Sequence, residues 1–240
     1  MKKLLISMIL LSSLTVGGIT ANASVTSTTD EILSLMPNVT IEELNESITE
    51  ASKSSNLTKD EITNQILSEL KVQKELTKKE KDLLKTNNAS PAATYTLGAP
   101  KYNGDIFYEP ASTVFVEHGH VGTYWTADTV IESMPKIGVR SINRRNKQVQ
   151  KGSKIFTLSG VSAATQNTAS NWAHSRIGDK YSYNFATNRK TSHTGAKNCS
   201  KLVWSSYMTK ANLDIDANGG LGVYPKDILN YSKSVVYKSY

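Results

Sequence analysis

The sequence predicts an α+β protein in which a small all-helical segment comes before a domain of short strands and helices. Three observations support this prediction. The first third of the chain has apolar residues at helical spacing behind helix-start signals. From Thr94 onward the sequence changes to short β-prone runs separated by Gly, Pro and Asn. Two longer helical patterns lie among these runs, and strands beside helices are typical of the α+β class.

The N-terminal residues 1–23 are predicted to be a signal peptide. Lys2 and Lys3 precede the uncharged, largely apolar stretch Leu4–Val16, and small residues follow it up to Ala23. This order is typical of a secretory signal cleaved near Ala23. We therefore expect a secreted protein, extracellular or associated with the cell wall. No later stretch reaches the roughly 18 apolar residues of a transmembrane helix, so no transmembrane segment is expected.

Charge divides the rest of the chain into two parts. Ser24–Ala93 contains 8 Lys and 12 Asp and Glu, whereas Thr94–Tyr240 contains 18 Lys and Arg and 9 Asp and Glu. The polar stretch 87–91 ends in a proline and favours a boundary between them. We predict an acidic helical segment over 24–90 and a basic domain over 94–240. The segment is interpreted as a spacer, an anchor or a pro-segment that lies against the basic domain.

Capping boxes predict where the helices of the acidic segment begin. Thr40, Thr58 and Thr77 are each followed three residues later by Glu, and apolar residues at helical spacing follow the first two. An earlier short helix over 31–36 is expected to end at Pro37. No residue of the segment suggests catalytic chemistry.

The basic domain is predicted to contain five strands and two helices. The strands are expected over 105–108, 113–116, 120–125, 129–131 and 154–158, because these runs are rich in β-branched and aromatic residues. A helix is expected over 163–177, closed by Gly178. The second helix is expected over 198–210.

Cys199 is the only cysteine of the sequence, which excludes an intramolecular disulfide and a multi-cysteine zinc site. It lies at the predicted start of the second helix, with Asn198 or Thr194 as the N-cap. The amides of a first helical turn favour negative charge, so this position suits a thiolate nucleophile. A buried cysteine that acts only as a small hydrophobe is the alternative.

A nucleophilic thiol needs a base, and the sequence offers His118, His120, His174 and His193. His120 and Glu132 lie on two runs separated by a polar turn. A hairpin symmetric about Thr126 or Ala127 places both side chains on one face, whereas a two-residue loop places them on opposite faces. His118 is the main rival to His120. The histidine spacing does not support a metal site, and no cofactor is expected.

These residues occur in a familiar order. His120-Val121-Gly122 comes first, Val130-Ile131-Glu132 follows, and Asn198-Cys199-Ser200-Lys201 comes last. The pattern resembles the circularly permuted papain-like cysteine hydrolases of the NlpC/P60 superfamily, specifically the YiiX/YebB-like group. The resemblance covers 94–240 and none of the acidic segment. It implies a permuted papain-like domain with a small antiparallel sheet packed against the cysteine-bearing helix.

The resemblance also implies a mechanism, with Cys199 as nucleophile, His120 as base and Glu132 as the residue that orients the imidazole. Tyr108, Tyr124 and Tyr183 are candidates for the oxyanion donor or the cleft wall. The implied activity is cleavage of amide bonds, with cell-wall peptides in peptidoglycan or another anionic envelope polymer as the expected partner of the basic domain. Acyl or lipid chemistry is the alternative within enzymes, and a non-catalytic binding or effector module is the alternative outside them. No nucleic-acid partner is expected, because no recognised stacking-aromatic motif is present.

Overall fold

The computed structural model describes residues 27–86, 94–111 and 118–240. The predicted signal peptide, the predicted boundary at 87–91 and the strand expected over 113–116 lie outside these residues. Within them the fold is α+β, as the sequence predicts, with helices and antiparallel strands. None of the described helices is long and apolar enough to cross a membrane.

Three helices form the acidic segment: α1 (Thr28–Leu35), α2 (Ile41–Lys53) and α3 (Lys59–Thr86). The first two predicted capping boxes are present. At α2 the Thr40 hydroxyl accepts from the Glu43 amide, and the Glu43 carboxylate accepts from the Thr40 amide at 2.9 Å. Thr58 and Glu61 make the same pair of contacts before α3. Reciprocal caps satisfy amides that have no partner within the helix, which is why these starts are readable from sequence.

The third predicted helix start, at Thr77, is wrong. Helix α3 continues through this position to Thr86, because no glycine or proline interrupts the sequence between Thr58 and Thr77. The Glu80 carboxylate, expected to cap Thr77, instead accepts a hydrogen bond from the Tyr108 hydroxyl at 2.6 Å and pairs with Lys226. Glu80 therefore joins α3 to the basic domain.

A six-stranded antiparallel sheet forms the centre of the basic domain. Its strands are β2 (Ile106–Glu109), β3 (His120–Tyr124), β4 (Thr129–Met134), β5 (Gly138–Asn143), β7 (Lys154–Leu158) and β8 (Ser234–Ser239), in the order β5-β4-β3-β2-β7-β8. A separate two-stranded ladder pairs β1 (Thr94–Thr96) with β6 (Gln148–Gln150). The sequence predicted β2, β3, β4 and β7 but missed the others. The four missed strands, β1, β5, β6 and β8, all carry exposed residues, and the β1–β6 and β7–β8 pairings join residues that are far apart in sequence.

Helices cover the sheet on the side of the predicted nucleophile. Helix α4 (Ala163–His174) packs against α5 (Cys199–Ala211), and α5 lies on β3 and β4. The short α6 (Pro225–Leu229) contacts α5 and β2. The helix expected over 163–177 ends three residues early, whereas α5 begins one residue after its predicted start. Residues of β6 cover the opposite part of the sheet, where Val149 joins a buried cluster with Phe107 and Tyr124.

The acidic segment is packed onto the basic domain through a common apolar core. Buried residues of its three helices belong to the same cluster as Tyr108, Cys199 and Tyr224. Polar contacts reinforce this packing. The Glu69 carboxylate of α3 accepts from the backbone amides of Leu221 and Gly222 at 2.8 and 2.9 Å. Such shared burial is typical of one folding unit, since neither part covers its apolar surface alone.

Candidate active site

The first component of the site is Cys199, the first residue of α5. Asn198 is its N-cap, because the Asn198 side chain accepts from the Lys201 amide at 2.9 Å. The structure therefore has Asn198, and not Thr194, as the N-cap of α5; the sequence had left both open. Cys199 is fully buried and unpaired. The amides of the first turn surround it with partial positive charge, which favours an anion at this position.

The second component is the pair formed by His120 and Glu132. In the β3–β4 ladder Gly122 lies opposite Glu132 and Tyr124 lies opposite Val130, so the hairpin is symmetric about Ala127. His120 is therefore diagonal to Glu132 on the same face. The imidazole Nε2 lies 2.9 Å from Glu132 Oε2, and Glu132 is completely buried. The structure thus brings together the two side chains for which the sequence allowed either arrangement.

Two cations that the sequence did not single out hold the Glu132 carboxylate. The Arg140 guanidinium, one strand away on β5, donates two hydrogen bonds to Oε1 at 2.7 and 3.0 Å. The Lys147 ammonium lies 3.0 Å from Oε2 and 2.6 Å from Glu109 Oε1. Arg140 lies directly opposite Glu132 in the β4–β5 ladder. Cross-strand charge pairing was the signal that could have found it, had β5 been predicted.

These contacts decide the ionisation of the buried carboxylate. Burial alone would raise the pKa of Glu132, but the hydrogen bond from His120 and the charges of Lys147 and Arg140 lower it well below its ordinary range. Burial likewise opposes the charge on Lys147, and the carboxylates of Glu132 and Glu109 outweigh it and raise the lysine pKa. Glu132 is therefore an anion over the whole physiological pH range.

Cys199 is the second group that acts on the His120 imidazole. The Nδ1 atom of His120 is buried and has no hydrogen-bond partner within the described residues. Cys199 is nevertheless close enough to interact electrostatically with the ring. Burial lowers the pKa of His120, but its interactions with Cys199 and with the Glu132 carboxylate outweigh burial and raise the pKa to about 9. The arrangement favours an imidazolium at His120 beside the Glu132 carboxylate.

The remaining histidines have other surroundings. His118 packs against the rings of Phe185 and Tyr224, with centroids 5.2 and 5.3 Å away, and burial lowers its pKa to about 4. His118 is therefore surrounded by aromatic rings, whereas His120 contacts the Glu132 carboxylate. His174 stacks on Trp125 at 3.6 Å, and His193 Nδ1 lies 2.9 Å from the Ser205 hydroxyl.

Two of the three tyrosines proposed for the oxyanion site have other partners. The Tyr108 hydroxyl donates to Glu80, and the Tyr124 hydroxyl donates to the Gly98 carbonyl at 2.7 Å. Tyr183 packs edge to face on Tyr181, with ring centroids 4.9 Å apart. Burial, with smaller effects from Cys199 and Tyr183, raises the pKa of the Tyr181 phenol well above its ordinary range. Tyr181 was not among the candidates taken from the sequence.

No group of three or more His, Cys, Asp or Glu side chains able to hold a metal ion occurs among residues 27–86, 94–111 and 118–240. Lys147, Arg140 and His120 occupy the oxygens of Glu132 instead. The chemistry available at this site is that of a thiol beside a charged imidazole.

Comparisons with known proteins place the chain in a family. No protein-family model matches it. The crystal structure of metalloprotein yiiX from Escherichia coli O157:H7, DUF1105, aligns with a TM-score of 0.43 and 12% identity over 58% of this chain and 97% of that chain. The uncharacterized protein YycO of Bacillus subtilis (strain 168) is 41% identical over 207 residues, covering 85% of this chain and 82% of YycO. Identity of this degree over most of both sequences shows common descent, and the chain belongs to the YycO family.

Proposed function

We propose that this protein is a secreted thiol hydrolase of permuted papain-like architecture that cleaves amide bonds in cell-wall peptides. One observation carries the proposal: His120 lies between a buried carboxylate, Glu132, and a cysteine at a helix N-terminus, Cys199. A nucleophile, a base and an orienting acid in this order are the requirements of nucleophilic acyl transfer. The residue-by-residue resemblance to the NlpC/P60 superfamily supports the same roles.

In the proposed mechanism the Cys199 thiolate attacks the carbonyl carbon and forms a tetrahedral oxyanion. The Cys199 backbone amide, at the start of α5, donates to that oxyanion. The His120 imidazolium then transfers its Nδ1 proton to the leaving nitrogen, and the C–N bond breaks to leave a thioester. Water, deprotonated by the now neutral imidazole, attacks the thioester and releases the acid and the thiol. Glu132 accepts the hydrogen bond from the Nε2–H of His120 in every step and so keeps the imidazole in one orientation.

The substrate class follows from location and charge. Residues 94–240 carry 18 basic and 9 acidic residues, so anionic envelope polymers are attracted to this domain. The signal peptide predicted over residues 1–23 supports export to the compartment where such polymers occur. Peptide bonds of the cell wall are therefore the proposed target.

The test is an activity assay on the mature protein with purified cell-wall sacculi, phospholipid vesicles and casein in parallel. We expect release of new amino groups from sacculi, loss of that release in Cys199→Ala and His120→Ala, and retention in His118→Phe. The last variant keeps the ring packing of His118 and removes both nitrogens. Release of fatty acid from vesicles alone would overturn the peptide substrate, and full activity of Cys199→Ala would overturn the thiol mechanism.

A further inference from the structure

Two neighbouring turns at the β5 edge of the sheet each expose an isoleucine. The first turn, residues 134–138, connects β4 to β5, and Ile137 is 58% exposed. The second turn, residues 175–180, follows α4, and Ile177 is 44% exposed. A single exposed isoleucine is ordinary on a protein surface, but two in adjoining turns form an apolar patch.

Backbone contacts hold the two turns against each other. The Val139 amide donates to the Asp179 carbonyl at 2.8 Å, and the Gly178 amide donates to the Val139 carbonyl at 2.9 Å. A Cβ at Gly138 would overlap the Asp179 carbonyl oxygen, so only glycine allows this close approach. The two turns therefore form one surface, which we call the isoleucine patch.

The isoleucine patch also carries positive charge. Its two turns contain three basic residues, Lys136, Arg176 and Lys180, and none of them forms an ion pair with another residue that the structure describes. The acidic residue of the turns, Asp179, pairs with the buried Lys197 instead. The Arg176 guanidinium lies over the half-buried Trp172 ring, 5.5 Å from its centroid. The patch thus combines apolar side chains with cations that no carboxylate of the turns neutralises.

Lys136 adopts a backbone conformation that favours glycine. Its φ is 65°, and the Ile137 amide donates to the Met134 carbonyl at 3.2 Å. Pro135 and Lys136 are therefore the central residues of a type II turn, whose second central position normally holds glycine or asparagine. A lysine with positive φ is less favourable for folding than glycine. A charge kept at this position despite its conformational cost indicates a role other than folding.

We propose that the isoleucine patch docks the protein onto a phospholipid bilayer with anionic headgroups. Ile137 and Ile177 enter the interfacial region of the bilayer, and the three cations contact the headgroup phosphates. Charge complementarity selects this partner, because the cations and the apolar side chains lie within the same two turns. A partly exposed tryptophan beside them, Trp172, is also typical of residues at a bilayer interface.

Docking through the isoleucine patch brings the candidate active site to the lipid surface. Strand β4, which carries Glu132, leads directly into the first turn. The Lys180 carbonyl of the second turn accepts a hydrogen bond at 3.0 Å from the amide of Lys197, two residues before Cys199. Substrates held at or near the bilayer are then within reach of the site. The docking itself does not depend on which reaction the site performs.

Binding is measured by co-sedimentation of the mature protein with phospholipid vesicles. The protein carries Cys199→Ala, so that the lipids stay intact whatever the substrate of the site. Phosphatidylcholine vesicles that contain one third phosphatidylglycerol are compared with vesicles of phosphatidylcholine alone. We expect binding to the mixed vesicles to be at least about tenfold tighter and to weaken as salt rises. Equal binding to both kinds of vesicle, or binding to neither, would overturn the inference.

The apolar contact is tested by the double variant Ile137→Ser/Ile177→Ser, with Val72→Ser/Val235→Ser as the matched control. The two valines are 52% and 47% exposed and lie on α3 and β8, outside the patch. The isoleucine variant should weaken binding to mixed vesicles about 10- to 30-fold, and the control should leave it unchanged. Equal effects of the two double variants would indicate only a general attraction of the basic domain to anionic surfaces and would overturn the inference.

Lys136→Gly separates binding from folding. Glycine is favoured at this φ, so the variant should keep or raise the urea midpoint of unfolding. It should nevertheless weaken binding to mixed vesicles about fivefold, whereas Lys210→Gln, which removes an exposed charge from α5, should change it less than about twofold. Unchanged binding of Lys136→Gly would contradict the docking role of this lysine. Hydrolysis of sacculi by a protein that binds no vesicles would reject the docking and retain the proposed function.

Discussion

The Glu132 carboxylate accepts a hydrogen bond from His120 across a diagonal of the β3–β4 ladder, because the residue directly opposite Glu132 is Gly122. A side chain at position 122 has no room: a Cβ there would lie 2.4 Å from the Phe107 ring. Phe107 fills the space and packs against the His120 imidazole, with centroids 5.7 Å apart. The glycine, the ring and the register together position the imidazole between the acid and the thiol.

We expect Glu132→Gln to lower the pKa of His120. Removing the anion takes away a contact that favours imidazolium, so the pKa should fall from about 9 toward its ordinary value near 6.5. Activity that depends on the imidazolium is lost as the pH rises through this pKa, so its alkaline limb should move to lower pH. We also expect kcat/KM to fall about 10- to 100-fold. The pH–rate profile measures both, with Glu109→Gln as a control that leaves the histidine contact intact. An alkaline limb at the same pH in Glu132→Gln as in the parent protein would contradict the orienting role of Glu132.

We expect Lys147→Met to move the alkaline limb of the pH–rate profile to higher pH, opposite to the effect of Glu132→Gln. Lys147 and His120 share Oε2 of Glu132, so removing the lysine charge leaves more of the carboxylate field to the imidazolium. The pKa of His120 should then rise and the alkaline limb move to higher pH. Loss of a buried charge partner should also lower the free energy of unfolding by about 3 kcal/mol. Urea denaturation measures the second effect, and a limb that moves downward would show that Lys147 does not act through Glu132.

Removal of the acidic segment is expected to unfold the basic domain. Its three helices share a buried cluster with Tyr108 and Tyr224, so a chain starting at Thr94 exposes this apolar surface. A milder test is Glu69→Ala, which leaves the amides of Leu221 and Gly222 without their acceptor and should cost about 1–3 kcal/mol. Glu75→Ala, on the exposed side of the same helix, is the control. A stable, fully active protein starting at Thr94 would contradict this expectation and support the interpretation of the segment as a spacer.

We expect the buried Asp227 to make stability depend on pH. Its carboxylate accepts two contacts from Gln73 of α3, and burial together with Asp216 raises its pKa to about 7. In the unfolded chain the value is about 4. Between these values the folded protein holds a proton that the unfolded chain has released, so stability falls as the pH rises from about 4 to 7.

Asp227→Asn keeps a hydrogen-bonding group and removes the titration. Its free energy of unfolding relative to the parent should increase across this pH window, by on the order of a few kcal/mol at most, and stay level above it. Urea denaturation at several pH values measures the difference. Asp82→Asn, on the exposed side of α3, should show no such trend. A constant difference for Asp227→Asn would show that this group is already ionised at acidic pH.

The sequence by itself determined the features that depend on neighbouring residues. Thr40 and Thr58 start helices because their reciprocal caps close within four residues. The sequence also offered Asn198 as one of two possible N-caps of α5, and in the structure its side chain accepts from the Lys201 amide, with Cys199 next in the first turn. Strands β2, β3, β4 and β7 were predictable because their side chains are largely buried, which gives them a strong apolar signal.

Tertiary structure decided what depends on partners distant in sequence. Thr77 has the same local signal as Thr58, yet α3 continues through it while Glu80 contacts Tyr108. The register of β3 against β4 chose between two arrangements of His120 and Glu132 that the sequence allowed equally. The fit of Arg140 and Lys147 around Glu132 required the β5 and β6 regions to be in place. A buried charge is stable only where folding assembles its partners, so the electrostatics of this site follow from the assembled structure.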